Sequence, residues 1–141
     1  MGAVLLGPEG QRQEFSGTRT EGGCNNEAEL LAIYETDSFD EAVSQIRKDS
    51  QIAAITRSSK GSVIVSGSET WTAPVTPATV VDATGAGDQY AAGVLYGITH
   101  GLSFQESAKL GNLCAGEVIS HIGPRPSVNL RELATTAGLK V

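Results

Sequence analysis

Apolar residues recur along this chain with two different periods, and the switches between them mark out its elements. Over residues 27–35, Ala28, Leu31, Ala32 and Tyr34 fall at roughly helical spacing. Ser38-Phe39-Asp40-Glu41 matches a capping box, in which a hydroxyl and a carboxylate three residues apart satisfy each other's backbone N–H groups. A second helix is therefore predicted to about Lys48. Ile52-Ala53-Ala54-Ile55-Thr56 is a short apolar run that reads as a buried strand, residues 57–61 turn, and Ser62-Val63-Ile64-Val65-Ser66 reads as the next strand. Residues 69–72 form a third strand, hairpin-paired through Gly67. Pro74 and Pro77 mark extended chain over residues 72–81.

Residues 89–99 are compatible with a helix. Ser103-Phe104-Gln105-Glu106 repeats the capping box and opens a long helix to about His121. Its small residues Gly111, Ala115 and Gly116 permit either close packing or close approach of a ligand. Gly123-Pro124-Arg125-Pro126 ends it, and Ser127 is predicted to cap a last helix over residues 130–137. The chain start is different. Residues 4–6 and 11–15 could pair as a hairpin across Gly7-Pro8-Glu9-Gly10, followed by a loop over residues 16–23. The division drawn is an atypical segment, 1–24, ahead of a regular α/β unit, 25–141.

Composition narrows the function classes. With 141 residues, 40% apolar and 18% charged, the chain has the makings of one globular unit, and its 17 glycines and 5% aromatics suit a turn-rich α/β enzyme. A net charge of −6 argues against a nucleic-acid or anionic-membrane partner. ATP remains compatible, because backbone N–H groups and metal ions can hold its phosphates. Cys24 and Cys114 lack metal-ligand spacing and read as reduced thiols of a cytoplasmic protein, with Cys114 buried in a helix. His100 and His121 stand apart, which argues against zinc. No apolar run approaches membrane-spanning length, and Met1-Gly2-Ala3-Val4-Leu5-Leu6 has no basic region of the kind that opens a signal peptide.

The most informative stretch is Asp82-Ala83-Thr84-Gly85-Ala86-Gly87-Asp88. Two glycines ahead of a helix leave backbone N–H groups unshielded, and with the positive end of the helix dipole these make a seat for an anion. Asp88 follows at once. An anion seat with a base beside it is what phosphoryl transfer to a hydroxyl requires. Taken alone, the same residues are also compatible with a tight turn and a dipole-favoured aspartate. Gly85-x-Gly87 continues to Tyr90 where a dinucleotide fingerprint needs Gly or Ala, and no Gly-x4-Gly-Lys-Ser/Thr is present.

Followed by Gln-Tyr-Ala-Ala-Gly, this stretch closely resembles the C-terminal signature of the ribokinase-like (PfkB) family of sugar and nucleoside kinases. Asn26-Glu27-Ala28-Glu29 is similar to the family's Asn-x-x-Glu motif, and residues 56–61 to its Thr-x-Gly-x-x-Gly nucleotide loop, with Ser58 in place of the first glycine. The resemblance runs from about Asn25 to Leu139 and is nearest to bacterial adenosine-kinase and sugar-kinase branches. It implies the C-terminal part of a three-layer α/β/α fold with a truncated sheet.

The resemblance also implies roles. Asp88 would be the catalytic base for transfer of the ATP γ-phosphoryl group to a primary hydroxyl of a sugar or nucleoside, adenosine and ribose among them. Gly85, Ala86 and Gly87 would form the anion hole. Asn26 and Glu29 would order Mg2+ partly through water, although by themselves they also read as an N-cap and its capping-box acid. Thr56, Ser58, Gly61 and Asn112 would bind ATP; Arg57 and Lys60 read as solvated turn residues. Asp82, Thr84, Gly123 and Ser127 would hold a monovalent cation, K+ the candidate. Relatives carry their sugar-binding residues and a lid in an N-terminal half not found here. The expectation is a kinase fragment, inactive in isolation, that self-associates or pairs with the missing half. The alternative is a non-catalytic nucleotide-binding remnant.

Overall fold

The computed structural model describes residues 25–141. The hairpin and loop expected over residues 4–23, and Cys24, lie outside the described residues. The element order is β1 (Asn25–Asn26), α1 (Glu27–Ile33), α2 (Phe39–Asp49), β2 (Ile52–Thr56), β3 (Ser62–Ser66), β4 (Glu69–Ala73), α3 (Ala86–Thr99), α4 (Phe104–Val118) and α5 (Leu130–Thr136).

The four strands lie in the order β1-β2-β3-β4. β1 runs parallel to β2, the two helices α1 and α2 supplying the crossover that a parallel pair needs, while β2–β3 and β3–β4 are antiparallel. Alternation along β2 and β3 sends successive side chains to opposite faces. Ala53, Ile55, Val63 and Val65 pack with Leu30, Ala42 and Ile46 of α1 and α2. Ala54, Ile64 and Ala73 pack with Tyr90, Val94 and Ala108 of α3 and α4. Both faces are covered, which is why residues 52–55 read as a continuous apolar run. The result is the expected three-layer α/β/α arrangement, and each fully buried side chain such as Ile55 or Ile64 contributes about 1.5–3 kcal/mol by leaving water.

The capping boxes differ in execution. Ser103 and Glu106 make both halves at the start of α4. At α2, the Ser38 hydroxyl accepts from Glu41 N–H, but Ser38 N–H donates to Thr36 Oγ1, and that hydroxyl donates to Glu41 at 2.6 Å. Thr36 thus stands between the two halves of the box. Three boundaries move. α3 begins at Ala86 rather than 89, because Gly85 takes the left-handed conformation that starts the helix early. α4 ends at Val118 rather than His121. α5 is capped by Asn129, whose Oδ1 accepts from Arg131 and Glu132 N–H, so Ser127 is not its cap.

α3 and α4 pack closely because small residues line their contact. A Cβ on Gly93 would lie 2.8 Å from the Gly111 backbone, and one on Gly111 would meet the Tyr90 ring at 2.7 Å. Gly111 is therefore explained by packing. On the far side, Arg47 of α2 donates to the carbonyls of Gly67 and Glu69 and to Thr70 Oγ1, tying the hairpin turn down. Among the described residues, the large hydrophobic side chains left exposed, Val75, Val80, Val81, Ile122 and Val128, lie on the connection into α3 and the loop after α4 rather than on helix faces. Among the described residues no helix is long and apolar enough to cross a membrane.

Gly93→Ala is expected to destabilise the chain by ~1–3 kcal/mol, the usual effect of overpacking. A urea-unfolding midpoint equal to that of the wild type would contradict such close helix contact.

Candidate functional site

The turn ahead of α3 is held by one carboxylate. Asp82 Oδ1 accepts from Thr84 N–H at 2.9 Å and Oδ2 from Gly123 N–H at 3.0 Å, joining the approach to α3 with the loop after α4. The Ile119 carbonyl at the end of α4 accepts from both Val81 and Asp82 N–H. The Thr84 hydroxyl, then the Gly123 and Thr84 N–H groups, favour the charged form and hold the Asp82 carboxyl down at about 2, against an ordinary 3.8. Gly85 must be glycine twice over: its φ is +83°, and a Cβ there would lie 2.7 Å from Pro124 Cβ.

A helix start leaves its first N–H groups without intrahelical acceptors. Ala86 N–H turns to the Ala83 carbonyl at 3.2 Å and is spent; those of Gly87 and Asp88 take no acceptor among the described residues. Of the donors anticipated for an anion, that of Gly87 is thus open and that of Ala86 is not; the neighbouring Asp88 N–H is open as well. Asp88 is exposed in the first turn. Gln89 donates to the Pro124 carbonyl and braces the turn from the other side.

The second group of predicted residues gathers at the end of the β1–β2 ladder. Asn26 and Thr56 are cross-strand partners. Asn26 and Glu29 form a reciprocal cap: Oδ1 of Asn26 accepts from Glu29 N–H at 2.8 Å, and Oε2 of Glu29 from Asn26 N–H at 3.1 Å. The capping reading is therefore realised, and the second Glu29 oxygen takes no bond among the described residues. An all-oxygen donor pair of this kind fits Mg2+, which keeps several of its waters. No group of three His, Cys, Asp or Glu side chains gathers for a metal among the described residues. Ser58, where the resemblance calls for glycine, adopts φ +50° regardless, and Gly61 at +84° closes the loop by accepting from Arg57 N–H at 2.8 Å. A Cβ on Gly61 would run into the Ala73 carbonyl at 2.1 Å.

Two expected residues are turned elsewhere. Asn112 is buried and donates to the carbonyls of Ala73 and Pro74 at 3.2 and 2.7 Å, so its amide nitrogen ties α4 to the end of β4. A cleft of about 300 Å³ opens nearby, lined by Pro74, Val75, Thr76 and Pro77 against Lys109 and Leu113 of α4. Ser127 donates from N and Oγ to Glu117 Oε1 at 2.8 and 2.7 Å, and His121 Nε2 lies 3.1 Å from the same oxygen. Burial raises the Glu117 pKa, but the Ser127 and His121 contacts outweigh it and the net shift is downward. Asp82, Thr84 and Gly123 are brought together as a monovalent-cation site would need, whereas the Ser127 hydroxyl is committed to Glu117. Cys114 is buried, and its thiol is pushed up to about 11 chiefly by loss of water, which keeps it protonated at neutral pH.

Sequence reasoning missed one contact. Arg57 is not a solvated turn residue: Nε and Nη2 donate to the two Glu27 oxygens at 3.1 and 2.9 Å, and its guanidinium lies 3.6 Å from the centre of the Phe39 ring. The partners are 30 residues apart, with no local pattern to link them.

With this geometry, the chain matches the family described as pfkB family carbohydrate kinase over residues 24–130. It superposes on a probable sugar kinase from Rhizobium etli with a TM-score of 0.79 and 48% identity, over 81% of this chain and 35% of that one. For the adenosine kinase of Sinorhizobium meliloti the figures are 0.78 and 50%, over 80% and 35%. An uncharacterized sugar kinase of Archaeoglobus fulgidus is 34% identical over 100 residues, 71% of this chain and 40% of that protein. The chain spans between 16% and 40% of the length of such curated relatives.

Because the folded pKa of Asp82 lies below its ordinary value, its contribution to stability is complete above about pH 4 and is lost as pH falls toward 2. The stability gap between wild type and Asp82→Asn should persist from pH 7 to about 4 and close toward pH 2 in denaturant titrations; a gap independent of pH would contradict this clamp. At the 57–61 loop, Ser58→Val should destabilise by roughly 1–2 kcal/mol and Ser58→Gly should be tolerated, since the left-handed conformation penalises a β-branched residue most. Equal melting temperatures for the two variants would argue against the positive φ.

Proposed function

Because the chain belongs to the pfkB family of carbohydrate kinases, we propose that it is the nucleotide side of an ATP-dependent kinase whose acceptor is a hydroxyl of a sugar or nucleoside. One observation carries the reading: the open N–H groups of Gly87 and Asp88 at the start of a long helix, with the Asp88 carboxylate in its first turn. Donors so arranged stabilise negative charge that grows on a transferring phosphoryl group, and they cost no reorganisation because Asp82 and Pro124 already brace the turn. Asp88 accepts the acceptor's proton as attack proceeds. Asn26 and Glu29 would hold Mg2+, partly through water, and a bound ion there would supply neutralisation of phosphate charge. Thr56, Ser58 and Gly61 border the nucleotide, and the cleft between residues 74–77 and α4 is apolar and broad enough to take an adenine ring. Asp82, Thr84 and Gly123 form the seat of a monovalent cation such as K+.

The proposed protein is cytoplasmic, and its acceptor site belongs to the additional length found in relatives. The two rhizobial neighbours, a probable sugar kinase and an adenosine kinase, support an acceptor in those classes without choosing between them. Alone, the chain is proposed to bind ATP without transferring phosphate, pairing with the missing half or with itself. A nucleotide-binding remnant that never turns over is the second reading.

Calorimetry should detect Mg2+-dependent ATP binding by the chain, and no binding would sink both readings. In a full-length protein carrying this part, Asp88→Asn should lower kcat by ~10²–10⁴ while leaving ATP affinity nearly intact. Unchanged turnover would remove Asp88 from its role. A full-length protein that binds ATP yet phosphorylates nothing in a panel of sugars and nucleosides would establish the second reading.

A further inference from the structure

β1 is two residues long, and its ladder to β2 consists of the pairs Asn25–Ile55 and Asn26–Thr56. So short a strand is weakly specified in register. A slip of one residue would displace the start of α1 by about 3.3 Å along β2. That distance is large against the roughly 1 Å tolerance of a catalytic arrangement. Something beyond the ladder must hold it.

Glu27 and Arg57 directly follow the last paired residues of β1 and β2, Asn26 and Thr56. Their contact is bidentate, 2.9 and 3.1 Å, which fixes direction as well as distance. Both side chains are about three-quarters shielded. The Phe39 ring lies against the guanidinium 3.6 Å away, so α2 restrains the same group, and Lys60 Nζ adds a cation 3.8 Å from Glu27 Oε1. Arg57 N–H meanwhile closes the loop onto the Gly61 carbonyl. One residue therefore shapes the 57–61 loop and ties it to the helix start that bears Asn26 and Glu29.

We infer that the Glu27–Arg57 pair, backed by Phe39, is a register lock that positions the Asn26–Glu29 helix start against the 56–61 loop, so that metal and nucleotide are bound as one unit. The functional half of this inference rests on the reading of the site given above; the lock itself does not. Arg57 and Glu27 are positioning residues and need touch neither metal nor nucleotide.

The test uses the full chain and three variants, Glu27→Gln, Arg57→Gln and Phe39→Leu, with thermal melting to check folding. ATP affinity is measured by calorimetry with excess Mg2+ and with a chelator. The Mg2+-dependent part of the affinity should fall roughly 10–100-fold in the first two, the usual effect of removing a partner that orients metal ligands, and less in the third. Affinity without metal should hardly change. Equal losses with and without metal, or none, would overturn the inference; if the charge variants fail to fold, Phe39→Leu, which keeps the ion pair, decides by the same criterion. Peptide-level hydrogen exchange supplies a readout independent of ATP. Faster exchange over residues 25–26 and 56–61 in Glu27→Gln, with β3 and β4 unchanged, supports the lock, and identical exchange overturns it. A wild-type chain that binds no ATP but shows that exchange difference would overturn the kinase reading and the functional half while leaving the lock in place.

Discussion

The backbones of α3 and α4 meet with almost nothing between them. Gly93 faces Gly111, Gly97 faces Ser107, and the Tyr90 ring lies over Gly111. Because the two helices run side by side with little slack, the start of α3 and the end of α4 come to the same place, where Ile119 carbonyl meets the N–H groups of Val81 and Asp82. The open N–H groups of Gly87 and Asp88 owe their position to this contact. A methyl group added at Gly93 would have to push whole backbones apart, and the displacement would be felt at the turn that ends in Asp88.

Two carboxylates then fasten the loop after α4. Asp82 takes Gly123 N–H, and Glu117 takes Ser127 N–H and hydroxyl. Each gains more from hydrogen bonds than it loses by leaving water, which is why both remain charged below the usual carboxylate range. A third carboxylate, Glu27, accepts the Arg57 fork just past the β1–β2 ladder. In all three places an acid holds a backbone or side-chain donor that no regular element would hold, and the irregular segments carrying the site become as defined as the helices.

How far the site could be read in advance depended on whether each residue's partner was local. Gly85, Gly87 and Asp88 belong to one turn and helix start, and their geometry follows from a few consecutive residues. Asn26 and Glu29 likewise make their cap within one helical turn. Ser58 illustrates a partial success: the absent glycine was visible, but only the fold shows that serine accepts the left-handed conformation. Arg57, read as a solvated turn residue, was misjudged because its partner Glu27 lies 30 residues away; the partners of Asn112 and Ser127, 38 and 10 residues away, were equally beyond local reading. The Ala86 contact was hidden for a subtler reason, since whether a first-turn N–H is open depends on how the preceding three residues curl.

The alternation of helix and strand, the apolar runs buried on both faces, and the glycine turn into α3 were all present in the order of residues, because each is dictated by short-range sterics and periodicity. Which donors remain free, which acids are committed, and which distant loop a given arginine holds were decided only when the chain closed on itself. Those outcomes depend on long-range contacts, and for these no periodicity exists in the sequence to read.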